Sequence, residues 1–292
     1  MDPAFMKSLF VFGLGYTATA IASALAKSGW SVHGTVRTGE KVKSLQALGL
    51  RAELFDNRQA VEAALAKATH LLVSVPPAER GDPVLGAYAR ELEGAPELYW
   101  AGYLSTIGVY GNSEGGWVDE KSPLCAVSKR ALARAEAERE WTDFAAARSL
   151  ALDIFRLAGI YGPGRNPIER LRRGEARRIL KPGQVFNRIH VEDIVQAVAA
   201  AIGQSPPEGV RIFNVTDDEP APAEDVILYA AQLIGMPPPP PVPFEAAKLS
   251  TKAQAFYSSN RRVRNDTMKR ELGVVLRYPS FREGLLSLKD QP

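Results

Sequence analysis

Leu9-Phe10-Val11-Phe12-Gly13-Leu14-Gly15-Tyr16-Thr17-Ala18 is the stretch that decides the fold. Four apolar residues run into a glycine, the stretch from Thr17 to Lys27 has helical character, Gly29 interrupts it, and Ser31 to Val36 reads as a second strand. The order is strand, turn, helix, strand, with the spacing Gly13-x-Gly15-x-x-Ala18 at the turn. Here the first glycine permits a tight turn, the second lets backbone N–H groups approach a pyrophosphate, and a small third residue lets helix pack on strand. The helix N-terminus then presents its positive dipole end to the phosphates, with Tyr16 and Thr17 in its first turn. Glycines that only shape a turn are the plainer alternative.

The second strand ends Thr35-Val36-Arg37-Thr38, without a carboxylate. A site for NAD(H) ends this strand with an acid on the ribose 2′-hydroxyl. Its absence, with Arg37 offering two donors to a 2′-phosphate, predicts NADP(H) in preference to NAD(H). Thr38 or Lys41 would assist Arg37. Asp56, after the third strand, would reach the adenine amine, and Val75 and Pro76, ending the fourth, complete the expected cofactor contacts. A solvated loop arginine and an exposed turn aspartate are the competing readings at Arg37 and Asp56.

Further along, a helix from Lys41 to Leu48, a strand near Arg51 to Phe55, a helix from Arg58 to Lys67 and the run Leu71 to Val75, stopped by Pro76-Pro77, continue the alternation. Leu98 to Ser105 and Ala151 to Arg156 read as strands around a charged helix, Ser128 to Trp141. Val191 to Ile202 returns to helix and Val210 to Val215 to strand. Alternation of this kind implies an α/β chain with a doubly wound parallel sheet of Rossmann type. The expected division is a cofactor-binding domain over 6–162, with 186–216 returning to it, and a smaller C-terminal substrate lobe from 163–185 and 217–292. Residues 1–5, ahead of Met6, read as a leader of expression-vector type. Five consecutive prolines within Met236 to Pro243 predict a stiff extended connector.

With 292 residues, 46% of them hydrophobic, the chain can bury one large core plus a lobe. A net charge of +3 falls short of the field that a dedicated nucleic-acid binder needs, so no nucleic-acid partner is expected. The single cysteine, Cys125, excludes an intrachain disulfide framework and fits a reducing cytoplasm. No apolar run approaches a membrane span, and no His/Cys/Asp grouping has metal spacing.

Beyond the glycine loop, several segments carry a wider resemblance. They are Leu104-Ser105-Thr106-Ile107-Gly108-Val109-Tyr110-Gly111, Val118-Asp119-Glu120, Ser128-Lys129, Arg156 to Gly164, Ile189-His190-Val191-Glu192-Asp193-Ile194 and Phe213-Asn214-Val215. Their order resembles the extended, atypical branch of the short-chain dehydrogenase/reductase superfamily, the NAD-dependent epimerase/dehydratase family, over nearly the whole chain from Lys7. The resemblance implies hydride transfer to or from a carbonyl or carbinol, with Thr106 hydrogen-bonding the substrate oxygen and Tyr161 beside the nicotinamide. Lys129 would hold the nicotinamide ribose and lower the pKa of an acid/base one helical turn away.

That acid/base position, four residues before Lys129, holds Cys125 in place of the family's tyrosine. A thiol is shorter than a phenol, so the proton would come from Cys125 only if the substrate sat deeper. Tyr103, Tyr110, Asp119 and Glu120 are alternatives, with Asp119 and Glu120 favoured. A buried, inert Cys125 with Lys129 as a ribose ligand alone is the competing reading, and it would make the chain a non-catalytic NADP(H)-binding sensor or scaffold. His190 reads as a helix-start packing or capping residue. The cations between Arg165 and Lys181 suggest a small-molecule substrate that is anionic or sugar-like, although a solvated face explains most of them. By analogy with the family, the helices around Asp82 to Leu92 and Ser128 to Trp141 would form a homodimer.

Overall fold

The structure, a computed structural model, describes residues 7–79, 81–204 and 208–291, and leaves out the side chains at 251, 252 and 255. The expected leader lies outside the described residues. Strands β1 (Ser8–Phe12), β2 (Ser31–Val36), β3 (Arg51–Leu54), β4 (His70–Val73) and β5 (Trp100–Thr106) alternate with helices α1 (Tyr16–Lys27), α2 (Gly39–Gln46), α3 (Arg58–Leu65) and α4 (Pro83–Glu93). Then come β6 (Trp117–Val118), α5 (Lys129–Ala147), β7 (Ala151–Leu157), β8 (Gly159–Tyr161), α6 (Pro167–Arg172), β9 (Arg178–Leu180), β10 (Arg188–His190), α7 (Val191–Gly203) and β11 (Gly209–Val215). The remaining elements are α8 (Ala223–Leu233), β12 (Pro241–Pro243), α9 (Thr251–Tyr257), β13 (Arg262–Val263), α10 (Asp266–Leu272) and α11 (Phe281–Leu286).

Seven strands form one sheet in the order β11-β7-β5-β4-β1-β2-β3, and its pairs β3–β2, β2–β1, β1–β4 and β4–β5 are parallel. The chain winds outward from β1 to β3, then returns past β1 to β4. This is the predicted doubly wound α/β fold of Rossmann type, and the reversal between β1 and β4 is where such sheets bind ligands. Leu9 to Phe12 are all buried, which is why β1 is written as a continuous apolar run rather than an alternating one. Local sequence sets the helix starts. Thr38, Asn57 and Asp82 each accept a backbone N–H at the head of α2, α3 and α4, and Pro83 fixes the first turn of α4.

The chain divides into two compact units. The first takes the residues up to Thr106, Leu132–Arg156 and Val195–Phe213, and the second takes Ile107–Ala131, Leu157–Ile194 and the chain from Asn214 on. Segments 107–131, 157–162, 186–194 and 214–216, read from the sequence as part of the cofactor domain, belong to the second unit. Phe10, Phe12, Leu71, Tyr103, Trp141 and Ile154 centre the core of the first. Two ion pairs are enclosed in it: Arg156 meets Glu138 at 2.8 Å, and Arg211 meets Asp153 at 2.7 Å. Tyr161, Ile168, Leu171, Val226 and Phe281 centre the core of the second.

The end of the proline run is more than a connector, because β12 pairs in parallel with β9, Val242 opposite Ile179. A two-stranded ribbon tolerates the flanking prolines, which lack an N–H to donate. No described helix is long and apolar enough to cross a membrane.

Candidate functional site

The glycine loop lies wholly in the first unit, between β1 and α1. Gly13 has φ +91°, a conformation that favours glycine, and its N–H donates to Thr35 Oγ1 at 3.1 Å while the Leu14 N–H donates to Thr35 O at 2.8 Å. A Cβ at Gly13 would stand 2.9 Å from Val75 Cγ2. Val75, predicted as a cofactor contact, is thus the packing partner that forces this glycine. At Gly15 a Cβ would meet nothing within 4 Å, and Gly15 heads α1 with no side-chain cap and no acid in the first turn. Open space, a helix start without a side-chain cap and the dipole of a 12-residue helix therefore coincide, which suits an anionic diphosphate. Ala18 is fully buried against the sheet and Thr17 is buried beside it, whereas Tyr16 is exposed at the mouth of the loop. Gly34 completes the close packing, since a Cβ there would lie 2.6 Å from Val11 O.

Arg37 and Thr38 follow β2, both exposed. The Thr38 hydroxyl oxygen accepts the Lys41 N–H at 3.4 Å as the α2 cap, so its first task is structural. Asp56 and Pro76 are exposed at the ends of β3 and β4.

Thr106 is the last residue of β5, half-buried, at the carboxyl edge of the sheet. Beneath it in the chain, Ser105 donates its hydroxyl to Glu138 of α5, whose carboxylate also takes Arg156 Nη2 at 2.8 Å. This buried trio went unnoticed in the sequence. Tyr103 is committed elsewhere: its hydroxyl accepts Arg134 Nη1 at 3.0 Å, and burial pushes its pKa up.

The second unit holds the other family-matched residues, and the structure gives several of them different work. Glu120 accepts the Asn214 N–H at 2.8 Å through one oxygen and the Thr267 hydroxyl at 2.9 Å through the other, so it clamps loops instead of offering a proton. Asp119 accepts the Ser122 hydroxyl at 2.9 Å and the Lys121 N–H at 3.0 Å. The Ser122 bond holds its pKa below the usual carboxylate range, which suits a turn and not an acid catalyst. Tyr110 donates to Asn214 Oδ1 at 2.6 Å. The Tyr161 side chain is packed in the core, its hydroxyl donating to Ser280 O at 3.3 Å and its ring lying where a Cβ on Gly284 would be. That side chain has no face left for a nicotinamide. His190 is the capping residue expected: its Nδ1 accepts the Glu192 N–H at 3.2 Å.

Cys125 is exposed, which overturns the reading of it as a buried hydrophobe. It also does not stand one helical turn from Lys129. Helix α5 begins at Lys129, Ser128 Oγ accepts the Ala131 N–H at 3.2 Å as its cap, and residues 123–127 are irregular. The carbonyl of Cys125 is pressed against Gly111, where a Cβ would come within 1.8 Å of it.

Most cations between Arg165 and Lys181 are spent on the chain itself. Arg172 donates to Gln291 O at 2.6 Å and Lys289 O at 2.7 Å, Arg177 to Lys248 O at 3.0 Å, and Arg173 pairs with Glu169 at 3.2 Å. Lys181 donates to Tyr257 O at 2.5 Å. These bonds lash the C-terminal segments down. Among the described residues, no group of three His, Cys, Asp or Glu is placed to hold a metal ion.

No family model matches the chain. A conserved protein of unknown function from Silicibacter pomeroyi DSS has a solved structure that is similar, with 47% identity and a TM-score of 0.89, covering 97% of this chain and 98% of that one. The protein YeeZ of Escherichia coli (strain K12) is 29% identical over 94% of this chain and 97% of its own. A 3-diazoavenalumate denitrifying reductase of Streptomyces sp. is 33% identical over 58% of this chain and 55% of its own. Solved epimerases share the fold at low identity. A UDP-glucuronic acid 4-epimerase from Bacillus cereus, in complex with NAD, is 17% identical with a TM-score of 0.76 over 97% of this chain and 98% of its own. The chain belongs to the same family as the Silicibacter pomeroyi protein and has the fold of the NAD-dependent epimerases and dehydratases.

Proposed function

We propose that this chain binds NADP(H) and is an oxidoreductase or epimerase-like enzyme of the extended short-chain dehydrogenase/reductase type. The observation that carries the reading is the open, uncapped Gly15 at the head of α1, on the reversal of the sheet, with Arg37 rather than an acid ending β2. Gly13, Gly15 and the first turn of α1 would take the pyrophosphate and Arg37 the 2′-phosphate, with Asp56 and Pro76 flanking the adenosine half. A bound nicotinamide supplies hydride chemistry. Thr106, at the strand end, would hold the substrate oxygen and Lys129 the ribose. The similarity to a reductase over 180 residues supports the same class. The test is a fluorescence titration of cofactor-free protein with NADPH and with NADH, repeated on Arg37→Ala. Tight NADPH binding that weakens selectively in the variant upholds the proposal, and no binding of either nucleotide removes it.

A second reading, a non-catalytic NADP(H)-responsive protein, is favoured by Cys125 standing outside α5 and by Asp119 and Glu120 being engaged in turns. NADPH binding without NADPH consumption across a panel of aldehydes, ketones and nucleotide sugars would select it.

A further inference from the structure

Among the described residues, several enclosed guanidiniums have a carboxyl group close by. Arg156 lies against Glu138 and Arg211 against Asp153, while Arg188, beside Phe186 and Phe281, has the buried carboxyl of Asp217 in its field. Arg261, half-buried in the second unit, has only a carbonyl. Its Nη1 donates to Gly111 O, and its Nε has no partner at all. Burial alone, with no carboxylate offsetting it, pushes its pKa down to about 10. A structural strap is built differently here: Arg172 spends both of its terminal nitrogens on carbonyls.

The arginine is also held in place. Asn187 Nδ2 donates to Arg261 O at 3.0 Å and Asn187 Oδ1 accepts the Val263 N–H at 2.9 Å, so the backbone on both sides of it is pinned. The carbonyl it touches belongs to Gly111, φ +69°, the residue pressed against the Cys125 carbonyl. A fixed, partly desolvated guanidinium with donors to spare is a receptor for an oxyanion, and burying it without one is unfavourable. We infer that Arg261 binds the carboxylate or phosphate of a ligand beside the 111–125 segment, making it the anion-recognition residue of the second unit. The inference deepens the proposed function by assigning an acidic substrate to it.

Phenylglyoxal modification of the intact wild-type chain, followed residue by residue by mass spectrometry of digests, tests it. Rates at Arg261 are compared in inorganic phosphate, in acetate and in chloride at matched ionic strength. At least a threefold slowing by phosphate identifies a phosphoryl ligand, and the same slowing by acetate a carboxylate. Equal rates in all three salts overturn the inference. So does an Arg261 that never reacts until the protein is denatured, since it is then closed to solutes. NADPH added to the modification reactions before digestion reports separately at Arg37: protection there upholds the cofactor reading whatever the anions do at Arg261, and anion protection at Arg261 with none by NADPH at Arg37 leaves the anion site standing alone.

Discussion

Two glycines a residue apart are expected to respond in opposite ways to the same methyl group. Gly15 has φ −83° and ψ −166°, an extended conformation open to any residue, and the added Cβ meets nothing within 4 Å. Gly15→Ala should therefore leave unfolding free energy unchanged or raise it by about 0.4–1 kcal/mol, through a less flexible unfolded chain. Gly13→Ala must hold φ +91°, which costs an L residue about 1–2 kcal/mol. Its Cβ would also press on Val75 Cγ2 at 2.9 Å and Val75 N at 3.2 Å, where overpacking adds about 1–3 kcal/mol. Urea unfolding of both variants should separate them by about 2–6 kcal/mol. Binding should rank them otherwise. The Gly15 methyl occupies the space through which a pyrophosphate approaches the helix amides, and losing two charge-assisted contacts of about 1.5 kcal/mol each weakens NADPH roughly a hundredfold. A Gly15→Ala protein that is stable and still binds NADPH like wild type would refute the loop as a phosphate cradle. One as unstable as Gly13→Ala would refute the geometry itself.

Arg37→Ala should weaken NADPH by roughly tenfold to a hundredfold and NADH hardly at all, by fluorescence titration, because only NADPH carries the 2′-phosphate. Glu138→Gln should destabilise the chain by about 3–5 kcal/mol in urea, leaving Arg156 buried and uncompensated, and replacing both with methionine should recover most of the loss. His70 and His190 are pushed down to about 4, chiefly by burial, so both are neutral in the folded protein at pH 7. Unfolded histidines take up protons below about 6.5, so stability should fall from pH 6.5 to about 4 by about 3 kcal/mol per histidine. His70→Phe should flatten that slope, and an unchanged slope would show that carboxylates set it.

The half of the fold that was legible in the sequence owes this to burial on both faces. Strands covered by helices on either side, such as Leu9 to Phe12 and the run at Leu71, must be written as unbroken apolar text, and glycines at their ends mark the turns. The helix caps at Thr38, Asn57 and Asp82 are equally local. The second unit was less readable because its bonds join distant residues. Glu120 meets partners 94 and 147 positions away, and no spacing rule reveals that both its oxygens are taken. Resemblance carried a helix back to Cys125, although a serine cap directly before Lys129 was a signal for a later start. Arg261 had no signal, since its meaning lies in the carboxylate it lacks.

The ribbon of β6 and β13 has a consequence for how the chain is made. Arg262 and Arg264 donate their amides to Gly116 O and Val118 O, and Asn260 O receives the amides of Ser113 and Gly115. The segment leading to Cys125 is thus anchored by residues synthesised well after it. While the ribosome still holds them, residues 111–118 have no partner strand and their edge amides face water or a chaperone. The early strands β1 to β5 face no such wait, since each pairs with a neighbour made before or soon after it. A nascent chain should therefore form the sheet of β1 to β5, with its glycine loop, well before its second unit closes.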